Sequence, residues 1–257
     1  MNTEETAFGT ELGRCIQLVI FLGSRLLESG AESNLIRELM LRTARIMGAD
    51  DTEISLSSSS MVLTIYKNGK WTTLTSRCPE RGVNMNIVTQ LQQAVVHCER
   101  GEISRIEMEQ HIRNVSRKRY GIWVTVPAIG LSCAFFSLLA GGDIPVFITT
   151  FIAASLGKLI FTALSKDRFN PLIGSFAAAL VCTLLAGFAM LKHFGAEPET
   201  AIYSSVLMLV PGFPLVNSFS DMLKGFKNMG VARLVSATLL TLATALGILS
   251  AMGILGI

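Results

Sequence analysis

Five apolar stretches of about 20 residues run through residues 121–257, and no other feature narrows the possible folds as far. They lie at about 121–139, 144–164, 171–191, 201–223 and 234–257. At 1.5 Å per residue, each is long enough for a hydrocarbon core roughly 30 Å thick. Hydrocarbon offers no partner to a free backbone N–H or C=O, so stretches of this kind must be helical. Residues 1–120 are of another type. They hold 15 of the 22 Lys and Arg and 14 of the 19 Asp and Glu, a nearly balanced composition that suits water. Two structural units follow from this contrast: an α+β domain over 1–120 and a transmembrane domain over 121–257.

Basic residues alternate along the chain in a way that orients the spans. Arg113, Arg117, Lys118 and Arg119 precede the first; Lys166 and Arg168 separate the second from the third; Lys224, Lys227 and Arg233 separate the fourth from the fifth. The alternate loops are poor in basic charge: 141–143 has none, and 192–200 sets Lys192 against Glu197 and Glu199. The positive-inside rule therefore places 1–120 in the cytoplasm and Ile257 outside. A short apolar run at 16–22 follows Glu4, Glu5 and Glu11 instead of a basic segment, so it is neither a leader nor a span. It belongs to an amphipathic helix over 7–29 that stops at Gly30.

Local signals predict the rest of the domain. A second helix covers 31–47 and stops at Gly48. Strands follow at 53–58, 61–67 and 71–76, with Asn68-Gly69 marking a type I′ hairpin. The serine run 57–60 reads as a turn. Helix resumes over about 84–99 and stops near Gly101. The next begins at Ser104, with Glu107 three residues on as a capping box, and runs towards the basic segment before the first span.

The fourth apolar stretch is broken near its middle by Pro211, Gly212, Phe213 and Pro214, and continues through Asn217 and Asp221. Each proline removes an N–H and clashes with the preceding turn, so the two cannot share an intact helix. A single proline would only kink a span. A double break followed by an amide and a carboxylate has the form of the discontinuous helices that hold substrate in secondary transporters. Half-helix ends carry partial charges there, and Asn217 can orient a carboxylate or a cation. Asp221 is a candidate for coupling or gating; its bland alternative is an ion pair with Lys224 on one helix face. Lys158, inside the second span, is a second coupling candidate, with snorkelling to the interface as its alternative. Ala243, Gly247 and Ala251 form a small-residue stripe suited to a close helix contact.

Other chemistries lack their residues. No GxxxxGK[ST] occurs, since Gly157-Lys158 is followed by Leu159, and GxSxG, HExxH and a dinucleotide-binding turn are missing. The five scattered cysteines lack metal-ligand spacing, and His97 and His111 read as surface or satisfied helix residues. A net charge of +3 without a basic stripe gives no reason to expect nucleic acid. The expectation is of no catalytic residues, metal or cofactor.

Three segments, LESGAES at 27–33, RGVNMN at 81–86 and LVPGFPLVN at 209–217 with the 221–225 stretch after it, resemble the threonine/serine exporter family, in particular its short, YjjP-type members. The resemblance covers essentially the whole chain. It implies gradient-driven export of small hydrophilic carboxylates, threonine and serine in the long members and succinate in the short type. It also implies a separate five-span, YjjB-type partner subunit, because long members carry both halves in one chain. An odd number of spans makes the same point independently: one inverted-repeat unit without its mate calls for a hetero-partner or a homo-oligomer. The resulting expectation is an inner-membrane exporter subunit seated in the lipid bilayer, with a Pro-Gly-x-Pro-broken fourth span. A membrane-tethered enzyme with its site in 1–120, a non-transporting sensor or assembly protein and, less favoured, a channel stand as alternatives.

Overall fold

Helix α1 (Glu11–Glu28) is the centre of the amino-terminal part of the chain in the computed structural model, which describes residues 11–79, 82–116, 120–165 and 170–257. The first residues of the expected helix, Arg81 of the second resembling segment, and the basic residues Arg117, Lys118, Arg119, Lys166 and Arg168 lie outside the described residues. By internal packing the chain forms two units. One holds the described residues before 119 together with Pro214–Leu234; the other holds 120–213 and Val235–Ile257.

In the first unit, α1 is covered on several sides, which its buried set Cys15, Ile16, Leu18, Val19, Leu22 and Leu26 requires. Helix α2 (Ser33–Ile46) packs Ile36, Leu39 and Met40 into the same core. Strands β1 (Asp51–Leu56), β2 (Ser60–Lys67) and β3 (Lys70–Arg77) form an antiparallel sheet in the order β1-β2-β3. Met61, Leu63 and Ile65 of β2 face the core, while the alternate residues Val62, Thr64 and Tyr66 face away, as a period of two demands. Helices α3 (Met85–Glu99) and α4 (Arg105–Asn114) complete the core with Leu91, Val95, Met108 and Ile112.

The punctuation follows local chemistry. Asn68 and Gly69 have φ of 51° and 78°, both positive, as the tight hairpin needs. Gly30 and Gly48, at φ 80° and 77°, end α1 and α2. Serines 57–60 turn between β1 and β2, with Ser57 N donating to Ser60 O at 2.9 Å. Ser104 Oγ accepts from Glu107 N at 3.2 Å while Glu107 Oε2 accepts from Ser104 N at 2.7 Å, a complete capping box. Ser104→Ala should therefore cost about 1 kcal/mol, read as faster amide exchange in the first turn of α4. One expectation fails here. Helix α4 ends at Asn114 instead of running on into the basic segment, because Val115 turns to ψ 115°.

The second unit is built of helices with small residues where they cross. Helices α5 (Ile122–Leu139), α6 (Ile144–Ser165), α7 (Pro171–Leu191) and α10 (Lys227–Leu255) are each long and apolar enough to cross a membrane. The short α8 (Glu199–Val206) runs through a 3-10 turn at Leu207–Leu209 to the break, after which α9 (Gly212–Leu223) begins. The two halves meet at 54°, so among the described residues four helices are long and apolar enough to be spans, or five if this bent pair is one span. Helix α10 starts at Lys227, seven residues before the expected span, because Gly225, at φ 90°, already ends α9 and nothing breaks the helix afterwards. Ala153, Ala154, Ala178, Ala179 and Ala186 are fully buried, and a side chain on Gly157 would strike Cys182. Such close backbone approach is how apolar helices gain contact where no hydrophobic effect drives them together. The stripe expected on the last span does this: Gly247 rests on the Phe176 carbonyl of α7, and Ala251 is fully buried.

Candidate functional site

Backbone groups left over at two helix ends create the polar centre of the first unit. Helix α1 stops at Gly30, leaving carbonyls without an intrahelical donor, and α2 starts at Ser33, leaving N–H groups without an acceptor. Glu32, at the N-cap position of α2, makes no side-chain cap hydrogen bond. The missing cap comes from far along the chain. Asp221 of α9 accepts from Ser33 N at 3.0 Å through Oδ1 and from Ser33 Oγ at 2.8 Å through Oδ2. Both Ser33 and Asp221 are fully buried. A carboxylate at a helix N-terminus satisfies orphan donors and meets the positive end of the helix dipole.

Arg233 of α10 neutralises the buried charge. Its Nη1 lies 2.9 Å from Asp221 Oδ2 as an ion pair, without the alignment of a hydrogen bond, and its Nη2 donates to Ala31 O at 2.7 Å. One turn before Asp221 on α9, Asn217 Nδ2 donates to Gly30 O at 3.0 Å. Glu32 turns outward to accept from Ser220 Oγ at 3.0 Å and to pair with Lys224. Thus the expected Asp221–Lys224 pair on one helix face is replaced by two crossed pairs, Asp221 with Arg233 and Lys224 with Glu32. The reason is burial: Asp221 lies on the inner face of α9, whereas Lys224 is exposed.

The break itself has a simple local form. Pro211 is buried and lies between the helices, Gly212 N donates to Val210 O at 2.9 Å, and Pro214 sits in the first turn of α9, where a missing N–H costs nothing. Phe213 is 41% exposed, so the break presents an aromatic ring instead of burying it. Asn217 and Asp221 are thus brought together with the Gly30–Ser33 connection. Pro211, Gly212 and Phe213 belong to the other unit, as does Lys158. Lys158 Nζ lies 5.2 Å from the Phe161 ring centroid, one turn along α6, a cation–π distance. Sequence reasoning missed Ser33, Glu32, Ser220 and Arg233 as members of this cluster. A hint existed in the LESGAES segment, which ends on Ser33 three residues after the glycine stop at Gly30, but no local pattern names its partner.

An open cleft in the same unit is lined by Arg42, Arg45, Cys98, Glu99, Ser104 and Arg105. Arg42, Glu99 and Ser104 are already engaged. The Arg42 guanidinium hydrogen-bonds Glu99 and holds that carboxyl below its usual range, burial pushes the Cys98 thiol up, and Ser104 Oγ is spent on its cap.

Residues 17–255 match the ThrE family, described as "Putative threonine/serine exporter". The chain belongs to that family. A protein of Escherichia coli (strain K12) is 38% identical over 258 residues, covering 100% of this chain and 98% of the relative. One of Klebsiella aerogenes is 38% identical over 244 residues, covering 95% and 93%. Both are named "Probable succinate transporter subunit YjjP". A Haemophilus influenzae protein is 30% identical over 175 residues, covering 67% of this chain and 57% of its own length. No solved structure matches. As a member of the exporter family the chain is a membrane transport protein and not an enzyme, so the engaged groups of the Arg42 cleft need no catalytic role.

Proposed function

We propose that the chain is one subunit of a secondary exporter for small hydrophilic carboxylates, a succinate-like dicarboxylate or threonine and serine. In this reading the bent pair α8–α9 is the fourth of five spans, the first 120 residues form a cytoplasmic domain, and the carboxyl terminus lies outside the inner membrane. The names of the two relatives support both the substrate class and the need for a second subunit. A five-span, YjjB-type membrane protein is the partner this reading expects, with a homo-oligomer as its alternative.

The broken span carries the proposal. Pro211–Pro214 frees carbonyls at the end of α8 and exposes the positive end of α9, a place for a carboxylate. Asn217 lies one turn inside that end, and its Nδ2 already binds Gly30 O. Asp221, capping α2 and paired with Arg233, makes the inner half of the span a built part of the amino-terminal unit. A motion of α9 then moves α2 with it, which gives Asp221 a gating role through position. Lys158 supplies a positive charge within α6 for the same anionic cargo.

Efflux of labelled succinate, and separately threonine, from preloaded vesicles tests this. Flux is expected from the chain with its five-span partner and not from the chain alone. Asn217→Ala in the assembled pair should lower it by about tenfold, the weight of one hydrogen bond to a charged group. No flux of either solute under any ion gradient would sink the proposal.

A further inference from the structure

Three arginines and one carboxylate line the cleft between α2, α3 and the start of α4. Arg42 and Glu99 cancel each other. Arg42 Nε donates to Glu99 Oε1 at 2.8 Å, its Nη2 completes the fork on the second carboxylate oxygen, and its Nη1 donates to Glu38 Oε1 at 3.1 Å. Arg45 and Arg105 make no hydrogen bond or ion pair among the described residues. The acids near them are committed elsewhere: Glu102 bonds His97, and Glu107 accepts from Ser104 N in the capping box. The cleft is left with two uncompensated guanidinium charges.

Those two charges converge. Arg45 stands in the last turn of α2 and Arg105 begins α4, yet both bear on the end of α3. Hydrogen bonding to Arg42 holds the Glu99 carboxyl low, and the Arg45 charge adds to it; burial pushes the neighbouring Cys98 thiol up, and Arg105 opposes it. The cleft measures about 560 Å³, the size of a small-ligand site. Its walls are held in place, because the Arg42–Glu99 fork ties α2 to α3 and the capping box fixes the start of α4. Ile46 and Ile103 add apolar wall between the charges.

We propose that this cleft binds a small dianion, a dicarboxylate or a phosphate, through the guanidinium groups of Arg45 and Arg105. A planar guanidinium fork suits the paired oxygens of either group. The site lies wholly in the first unit, so it does not rest on the exporter reading. A bound dianion bridges α2 to α4, and α2 is the helix whose other end Asp221 caps. Its role is therefore that of a regulator acting on α2, and not of cargo.

Cys98 reports on the site. Of the five cysteines, all among the described residues, it alone is not buried. The full-length chain in detergent is labelled with a maleimide in the presence of succinate, inorganic phosphate or uncharged succinamide at one ionic strength. Millimolar succinate or phosphate should slow the labelling, and succinamide should not; whichever anion protects at the lower concentration identifies the source of the dianion. Arg45→Gln and Arg105→Gln should each raise the half-protecting concentration about tenfold, the weight of a charged hydrogen bond. Both residues are exposed, so neither change threatens the core. Arg100→Gln removes an exposed charge next to Glu99 that does not line the cleft, and should shift protection by less than about twofold. Titration calorimetry on Cys98→Ser should give the same order of affinities without the thiol. Failure of both anions to protect would overturn the proposal, and so would protection unchanged in both cleft variants. An equal loss in Arg100→Gln would also overturn it, as a diffuse surface field. Labelling needs no flux, so none of these outcomes depends on whether the chain exports carboxylates.

Discussion

Asp221→Ala is expected to destabilise the amino-terminal unit by about 3 to 5 kcal/mol, a fall of about 10 °C in melting temperature in detergent. The carboxylate is fully buried, and its loss leaves Arg233, whose side chain is 15% exposed, as an uncompensated charge. Ser33 N loses its acceptor at the same time, so α2 starts without a cap. Asp221→Asn should be milder, since an amide oxygen still accepts from Ser33, while the charge on Arg233 stays unmatched. The double replacement Asp221→Leu with Arg233→Met should recover most of the loss, because removing both charges also removes their desolvation cost. A strong positive coupling between the two sites in that cycle is the expected result. A fall below about 1 kcal/mol for Asp221→Ala would mean the pair contributes no more than a surface bridge does.

Gly247→Leu should disrupt the second unit by about 3 kcal/mol or more. A Cβ at this position would meet the Phe176 carbonyl oxygen and lie 2.9 Å from Ala179 Cβ and 3.1 Å from Leu180 N. Two of these neighbours are backbone atoms of α7, which cannot move aside as a flexible side chain would. The measurement is thermal unfolding in detergent, with Gly253→Leu as control, since a Cβ there meets nothing within 4 Å. Equal melting temperatures for the two variants would remove the close crossing of α7 and α10 from the account.

Much of the fold was legible because it is local. Apolar runs of span length, the Asn68-Gly69 hairpin, glycine stops at Gly30 and Gly48, and the Ser104–Glu107 box each depend on a few consecutive residues. Steric and hydrogen-bonding rules act at that range whatever the rest of the chain does. Boundaries were less legible. Nothing short-range marks Asn114 as the end of α4, and Lys227 starts α10 well before the apolar residues become continuous.

The candidate site divides along the same line. Its break was readable, because two prolines must interrupt a helix, and so was the presence of an amide and a carboxylate after it. Their partners were not. The carboxylate that caps α2 is 188 residues from Ser33, and the guanidinium that reaches the Ala31 carbonyl is 202 residues away. A buried cap or charge can be satisfied by any correctly placed group, so the sequence shows that a partner is needed without showing which. The sequence by itself determined the long apolar helices, the break and the local caps; only the tertiary structure decided that Asp221 completes helix α2 and that Arg233, not Lys224, balances its charge. Burial decides this pairing, and burial is a property of how distant segments pack.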